Sequence, residues 1–197
     1  MRTKAENPAA RLEGKNAPAL VEAYFEFNHL KQLYRQGWLR RGIPPDRCES
    51  VAEHTFGVAM LALFLAEAHF PELDADRVLR LALLHDFGEV YAGDIIPGDG
   101  VPPEEKKRRE AEAAARVLAK LPNGAANLRL WEEYEHGATP EARFVKAIDR
   151  LEMALQAGVY QAQGFEGLQE FFDTARIGIT HPQLRDIIQS VEELTGR

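Results

Sequence analysis

Apolar residues recur at three- and four-residue spacing along almost the whole chain, whereas the alternation typical of strands is nearly absent. Helix starts are marked by Asp74, by Thr139 and by Ser50, which forms a capping box with Glu53. The pattern predicts helices over about 18–37, 50–70, 76–91, 104–121, 126–136, 139–163 and 183–194. The predicted fold class is therefore all-α, a single helical bundle.

The segments outside these helices carry turn residues. Gly42 and Pro44-Pro45 predict a loop over 38–48, and three prolines and three glycines predict an ordered loop over a site at 93–103. Residues 1–17 are polar and are predicted to be a flexible leader. The remaining residues, 18–197, contain no repeat or linker and are predicted to form one domain.

Four ionisable residues stand where a helical core is expected. His85 and Asp86 close the apolar run from Val78 to Leu84, Asp149 interrupts an apolar stripe, and His54 lies in the first turn of its helix. Burying a lone carboxylate costs several kcal/mol or more, so such groups are usually paired or metal-bound. The pattern predicts a divalent metal held between core helices.

Simpler interpretations of single residues stay open at this point. His54 alone is compatible with an exposed first-turn histidine, and His85-Asp86 with a hydrogen-bonded pair in the core. Taken together with Asp149, two imidazoles and two carboxylates suit Mn, Co, Zn, Fe or Ni, with Mg also a candidate. Four protein ligands leave positions for water and substrate on a six-coordinate ion, which favours a catalytic site.

Further charged residues follow the His-Asp pair. Glu89 is expected to share its helix face, and Asp94 follows Gly93 in the predicted loop. These two carboxylates could position a metal-bound water or protonate a leaving group, although a solvated helix end and a turn-forming Asp are equally compatible. Glu110 is a further candidate ligand for a second, weaker ion, and the basic run from Lys106 to Arg109 is more typical of a solvated face.

Composition narrows the class of protein. The 197 residues are 45% hydrophobic and carry a net charge of −7, which disfavours non-specific nucleic-acid binding. No uninterrupted apolar run reaches the roughly 18 residues of a membrane span, so no membrane partner is expected. Cys48 is the single cysteine, which excludes an intrachain disulfide and fits a reducing, cytoplasmic location.

An ordered set of motifs covering roughly residues 30–160 resembles the HD-domain superfamily of metal-dependent phosphohydrolases, most closely its 5′-deoxynucleotidase branch. The matching residues are Leu30-Lys31, Arg35-Gln36-Gly37-Trp38, Glu49-Ser50-Val51-Ala52-Glu53-His54, Leu81-Ala82-Leu83-Leu84-His85-Asp86, Glu89, Gly93-Asp94-Ile95, Glu105-Lys106, Arg109-Glu110, Leu130-Trp131-Glu132-Glu133-Tyr134-Glu135, Phe144-Val145-Lys146, Asp149, Glu152-Met153 and Gln156-Ala157.

The resemblance implies one divalent ion in a helical domain and removal of the 5′-phosphate from deoxyribonucleoside monophosphates. The metal ligands it implies are His54, His85, Asp86 and Asp149. It assigns catalytic carboxylates at Glu89 and Asp94 and substrate-binding residues at Arg35 and Trp38, with the indole placed where a 2′-hydroxyl would lie. It also implies a homodimer.

Two departures from the family pattern bear on the substrate. Gln36-Gly37 separates Arg35 from Trp38, which are adjacent in some deoxynucleotidases, and residues 161–197 match nothing in the pattern. The alternatives are an HD phosphohydrolase acting on a triphosphate, cyclic nucleotide or guanosine polyphosphate, and a metal-stabilised binding module without turnover.

Overall fold

The computed structural model describes residues 1–195. The α-helices within them are α1 (Ala19–Phe27), α2 (Gln36–Arg40), α3 (Val51–His69), α4 (Ala75–Leu84), α5 (Glu89–Ala92), α6 (Pro103–Leu118), α7 (Gly124–His136), α8 (Pro140–Ala162), α9 (Gln169–Gly178) and α10 (Pro182–Thr195). Short 3₁₀ helices span Pro8–Leu12 and Asn28–Lys31. Extended pairing over residues 1–195 is limited to two isolated bridges, so the all-α prediction is confirmed.

Helices α3, α4 and α8 form the centre of the domain and place the site. Their buried faces meet through Val58 of α3, Leu81 of α4 and both Ile148 and Leu151 of α8, all without solvent exposure. The predicted capping box is present at the start of α3. The Ser50 hydroxyl accepts a hydrogen bond from the Glu53 backbone N–H, and the Glu53 carboxylate accepts one from the Ser50 backbone N–H. The start of α3 is therefore fixed at Val51, which places His54 in the first turn of the helix.

The chain between α1 and α3 differs from the prediction. The first helix ends at Phe27 instead of near residue 37, because the following chain turns through a 3₁₀ helix and becomes extended. There Arg35 N–H donates to the Glu49 carbonyl (3.1 Å), and Val51 N–H donates to the Leu33 carbonyl (2.9 Å). These pairings draw Arg35 to the start of α3, and Trp38 lies in α2 rather than in the predicted loop.

The predicted helix over 76–91 is two helices. Helix α4 ends at Leu84, residues 85–88 turn, and Glu89 begins α5, so Glu89 does not share a helix face with His85 and Asp86. Gly88 lies in this turn and packs closely on α6, since a Cβ on it would lie 2.8 Å from the Glu110 backbone oxygen. This close approach leaves no room for a side chain at position 88, which accounts for the glycine there.

Helix α9 lies in the part of the chain for which no helix was predicted. Its apolar side is Leu168, Phe172, Ala175 and Ile179, spaced for one helix face and fully buried. It packs on α8 and brings residues after 160 to the site.

The segment predicted to be a flexible leader contacts α2 and α3. In the predicted leader, the Arg2 backbone N–H donates to the Gln36 side-chain oxygen (2.9 Å), and the Lys4 ammonium pairs with Glu53 (3.1 Å).

Helix α3 is long and apolar enough, by length and composition alone, to cross a membrane. It also carries His54, which is buried, and packs against α4 and α8, as the core helix of a folded domain does.

Candidate metal centre

The four predicted metal ligands converge from three helices and one turn. His54 lies in the first turn of α3, His85 is the C-cap of α4, Asp86 follows it in the turn, and Asp149 lies in the middle of α8. His54 Nε2 is 3.1 Å from Asp149 Oδ1 and 3.4 Å from His85 Nε2, and His85 Nε2 is 3.2 Å from Asp86 Oδ2. The ligand atoms of His54, His85 and Asp149 all lie within 4.8 Å of one another.

The donor set fits a divalent ion. His54 Nδ1 donates to Glu152 Oε2 (2.6 Å), and His85 Nδ1 donates to the Ala82 carbonyl (2.7 Å). In that tautomer each Nε2 presents a lone pair to the cluster, which is how metal-binding histidines are usually held. Asp86 Oδ2 is buried and has no hydrogen-bond partner among residues 1–195. A buried carboxylate oxygen without a donor is costly unless a cation satisfies it, so the orphaned oxygen supports a metal at this point.

Both carboxylates of the cluster are held in their ionised form. Burial alone would raise the pKa of Asp86, but His85, Arg35 and His54 together hold it well below its ordinary value. Burial also opposes ionisation of Asp149, whereas the hydrogen bond and charge of His54 lower its pKa to about 2. Both shifts belong to the protein without an ion, in which protonated imidazoles face the carboxylates, and a bound ion would take the place of the proton on each Nε2. Ionised carboxylates are the form that binds metal.

Arg35 and Asp94 form an ion pair beside the cluster. Arg35 Nη1 donates to Asp94 Oδ1 (3.0 Å) and lies 3.7 Å from Asp86 Oδ2. Burial alone would lower the pKa of Arg35, but Asp94 and the other acidic neighbours raise it. The second Asp94 oxygen accepts from the Gln36 backbone N–H. Asp94 therefore holds the guanidinium in place next to the metal ligands.

Glu89 is the most isolated carboxyl group of the site. It is buried, and its Oε2 has no hydrogen-bond partner in the described chain. Burial raises the pKa of Glu89 well above its ordinary value, and the charges of Asp86 and Asp94 raise it further. Glu89 lines a cavity of about 290 Å³ together with Asp86 and Asp149. A raised pKa favours the protonated form of Glu89, which is the form that could donate a proton.

The basic run on α6 is divided between the site and the surface. Arg108 and Arg109 bind Glu105 on the exposed face, as predicted for a solvated charge run. Lys106 instead lines the 290 Å³ cavity and donates to the Ile95 carbonyl (2.9 Å). Glu110 lines the same cavity, and burial raises its pKa to about 7.

Trp38 lies in the core rather than at the surface. Its side chain is 2% exposed, and its Nε1 donates to Glu49 Oε1 (2.7 Å). The indole ring contacts Phe171 of α9, with ring centroids 4.0 Å apart. Trp38 and Arg35 both line a second, larger cavity of about 480 Å³, so the structure brings together the two residues predicted to bind substrate.

Glu152 is a site residue for which the sequence analysis predicted no role. It follows Asp149 by three residues on α8, so both carboxylates project from one helix face, and that spacing was the available signal. A second group of candidate ligand atoms, from Glu49, His54 and Glu152, shares His54 with the cluster. Because its carboxylates already bind Trp38 Nε1 and His54 Nδ1, this second group supports the cluster from outside.

Comparison with known proteins places the chain in a family. Residues 27–192 match the family model described as HD domain. The 5′-deoxynucleotidase HDDC2 of Bos taurus is 38% identical over 190 residues, which cover 94% of this chain and 90% of the relative. The 5′-deoxynucleotidase hdd1 of Schizosaccharomyces pombe is 34% identical over 178 residues, covering 84% and 87%. The chain belongs to the HD-domain family.

Solved structures agree with this placement. A protein of Pyrococcus horikoshii superimposes with a TM-score of 0.74 at 31% identity, covering 88% of this chain and 99% of that one. A protein of Magnetospirillum magnetotacticum, described as a predicted metal-dependent phosphohydrolase, gives a TM-score of 0.68 at 29% identity, covering 90% and 91%. The resemblance found in the sequence is therefore confirmed.

Proposed function

We propose that this protein is a metal-dependent phosphohydrolase that removes the 5′-phosphate from deoxyribonucleoside monophosphates. The observation that carries the proposal is the cluster of His54, His85, Asp86 and Asp149 with the Arg35–Asp94 pair beside it. It is supported by membership of the HD-domain family and by relatives of similar length that are named 5′-deoxynucleotidases.

His54, His85, Asp86 and Asp149 would hold one divalent ion. When bound there, the ion would supply Lewis-acid chemistry, polarising a phosphate oxygen and making an attacking water easier to deprotonate. Arg35 has the geometry to bind phosphate oxygens through its planar guanidinium, and Asp94 keeps that group directed towards the cluster. Glu89 has the buried, proton-holding carboxyl group that a leaving 5′-oxygen needs as a general acid.

Trp38 is the residue that we expect to discriminate between sugars. Its indole is fixed by Glu49 and by Phe171, so it cannot move aside for an added hydroxyl group. Its polar edge is already used by Glu49, so the small part of the ring that reaches the cavity is apolar. A ribose 2′-hydroxyl packed there would lose its hydrogen bonds to water without replacement, which is unfavourable.

Phosphate release from dAMP, dGMP, dCMP, dTMP and dUMP tests this function when it is compared with release from the matching ribonucleotides. Each reaction is run with Mn, Co, Mg or Zn. We expect turnover of the deoxy series and little of the ribo series. Equal turnover of both sugars would contradict the role of Trp38. Release from polyphosphates or cyclic nucleotides alone would contradict the proposed substrate class.

Glu152 provides a test of the metal centre that leaves all four ligands in place. In Glu152→Gln, His54 Nδ1 loses its charged partner, and we expect affinity for the ion to fall about 10- to 100-fold. Titration of Mn or Zn into metal-free protein, followed by calorimetry, measures the change. Glu166→Gln, a change on an exposed loop away from the cluster, is the matched control. Unchanged affinity in Glu152→Gln would show that this carboxylate does not support the centre.

We also propose that the protein is a homodimer. Helix α3 exposes Phe56 (66%) and Phe64 (56%), with Met60 and Leu63 half-buried between them. A contiguous apolar stripe of this kind is a common feature of protein interfaces. Sedimentation velocity tests the proposal, and a mass of 22.1 kDa, that of one chain, at all concentrations would contradict it.

A further inference from the structure

The 480 Å³ cavity extends away from the metal centre and is mainly apolar. Its walls come from α2, from the loop carrying Asp94 to Pro97, from Met153 of α8 and from Phe171 and Thr174 of α9. Helix α9 thus closes one side of the cavity, and it lies within the residues matched by the HD-domain model, so the expectation that residues 161–197 lie outside the family pattern is wrong as far as residue 192. Its size is within the range of small-molecule sites.

One end of this cavity lies against the metal centre. Arg35 lines the cavity, and the same guanidinium is 3.7 Å from Asp86 Oδ2 of the cluster. A substrate whose phosphate lies at the cluster and Arg35 would therefore direct its remaining atoms into the cavity. In a nucleotide those atoms are the sugar and then the base.

Phe171 is held rigidly in the cavity wall. Trp38 backs its ring at 4.0 Å between centroids with a 35° tilt, and a Cβ on Gly37 would lie 3.6 Å from it. An ion pair between Arg41 and Glu170 ties α2 to α9 next to this contact. On the facing side, Arg40 donates to the Pro97 carbonyl (2.7 Å) and to Asp99. The walls are thus fixed before a ligand binds, which reduces the entropic cost of binding.

We propose that Phe171 is the stacking surface for the nucleobase and so a substrate-binding residue of this enzyme. The inference rests on the proposed function, because it takes a nucleoside monophosphate as the ligand. Arg40 and Arg41 are already bound to acidic partners, so the cavity recognises the base chiefly by aromatic contact. Stacking of this kind tolerates any base.

The test compares dAMP with 2-deoxyribose 5-phosphate, which carries the same phosphate and sugar but no base. Steady-state kinetics are measured for the wild type, Phe171→Ala, Phe171→Tyr and Ile177→Ala. If the sugar phosphate is hydrolysed too slowly for its kcat/KM to be measured, its inhibition constant against dAMP is measured instead. Ile177 lies on the same helix, is 83% exposed and is the matched control.

We expect Phe171→Ala to lower kcat/KM for dAMP about tenfold, the lower part of the range for loss of one base stack, and mainly through KM. The constant for 2-deoxyribose 5-phosphate should change less than about twofold, and Phe171→Tyr and Ile177→Ala should behave like the wild type. Equal losses on both ligands would overturn the inference, since Phe171 would then only support Trp38. No loss on either would place the base elsewhere. A wild type that releases phosphate from neither ligand would instead contradict the proposed function.

Discussion

Replacing Asp149 with asparagine is expected to abolish phosphate release and to weaken metal binding at the same time. Asp149 Oδ1 lies 3.1 Å from His54 Nε2, within the cluster of candidate ligand atoms. An amide has a similar shape but lacks the negative charge that offsets that of the ion. We expect metal affinity to fall by more than about 100-fold, beyond the loss typical of an outer partner. Calorimetric titration and phosphate release from dAMP measure the two effects.

Asp186→Asn is the matched control for this change, because Asp186 is exposed on α10. It should bind metal and release phosphate like the wild type. The thermal midpoints of both variants are compared to separate loss of the metal from loss of the fold. Full activity in folded Asp149→Asn would remove Asp149 from the metal centre.

Replacing Glu89 with glutamine should instead abolish most of the activity while leaving metal binding intact. Glu89 lies in the cavity beside the cluster but outside the ligand group, so the ion should be retained. Its carboxyl group is buried and has a raised pKa, and glutamine preserves its size while removing the proton that the acid form could transfer. We expect kcat to fall about 100- to 10,000-fold, as for loss of a general acid or base. Metal content and single-turnover phosphate release are the measurements.

Glu132→Gln, an exposed change on α7, controls for the removal of one surface charge. If Glu89→Gln lost metal together with activity, Glu89 would be a ligand and not a proton donor. If it kept the wild-type kcat, the proton of the leaving oxygen would have another source.

The metal cluster could be predicted from local sequence because each of its residues breaks a local rule. Asp149 interrupts an apolar helical stripe, and His85-Asp86 ends an apolar run. The capping box fixed the start of α3, and so the turn in which His54 lies. Each residue alone had a simpler interpretation, and only their convergence on one point in the fold distinguishes a metal centre from surface groups.

The features that the sequence did not reveal depend on contacts between distant segments. The apolar pattern continues to Val90 and does not indicate the break after Leu84, where Gly88 packs closely on Glu110 of α6. The end of α1 depends likewise on pairing of Leu33 and Arg35 with the chain before α3.

Two omissions had a signal that was present in the sequence. Glu152 stands three residues after Asp149 on one helix face, and Leu168, Phe172, Ala175 and Ile179 have helical spacing. The spacing could not show which distant residues these side chains contact in the fold. The contact of Glu152 with His54 joins residues 98 positions apart, and the contact of Phe171 with Trp38 joins α9 to α2.

Removal and return of the metal tests the central claim most directly. Protein stripped with a chelator and dialysed is assayed for phosphate release from dAMP before and after Mn or Co is added back, with Asp149→Asn treated in parallel. We expect no release by the stripped wild type, recovery on addition of the ion, and no recovery in the variant at the same concentration. Undiminished release by the metal-free protein would contradict a hydrolytic metal centre at His54, His85, Asp86 and Asp149.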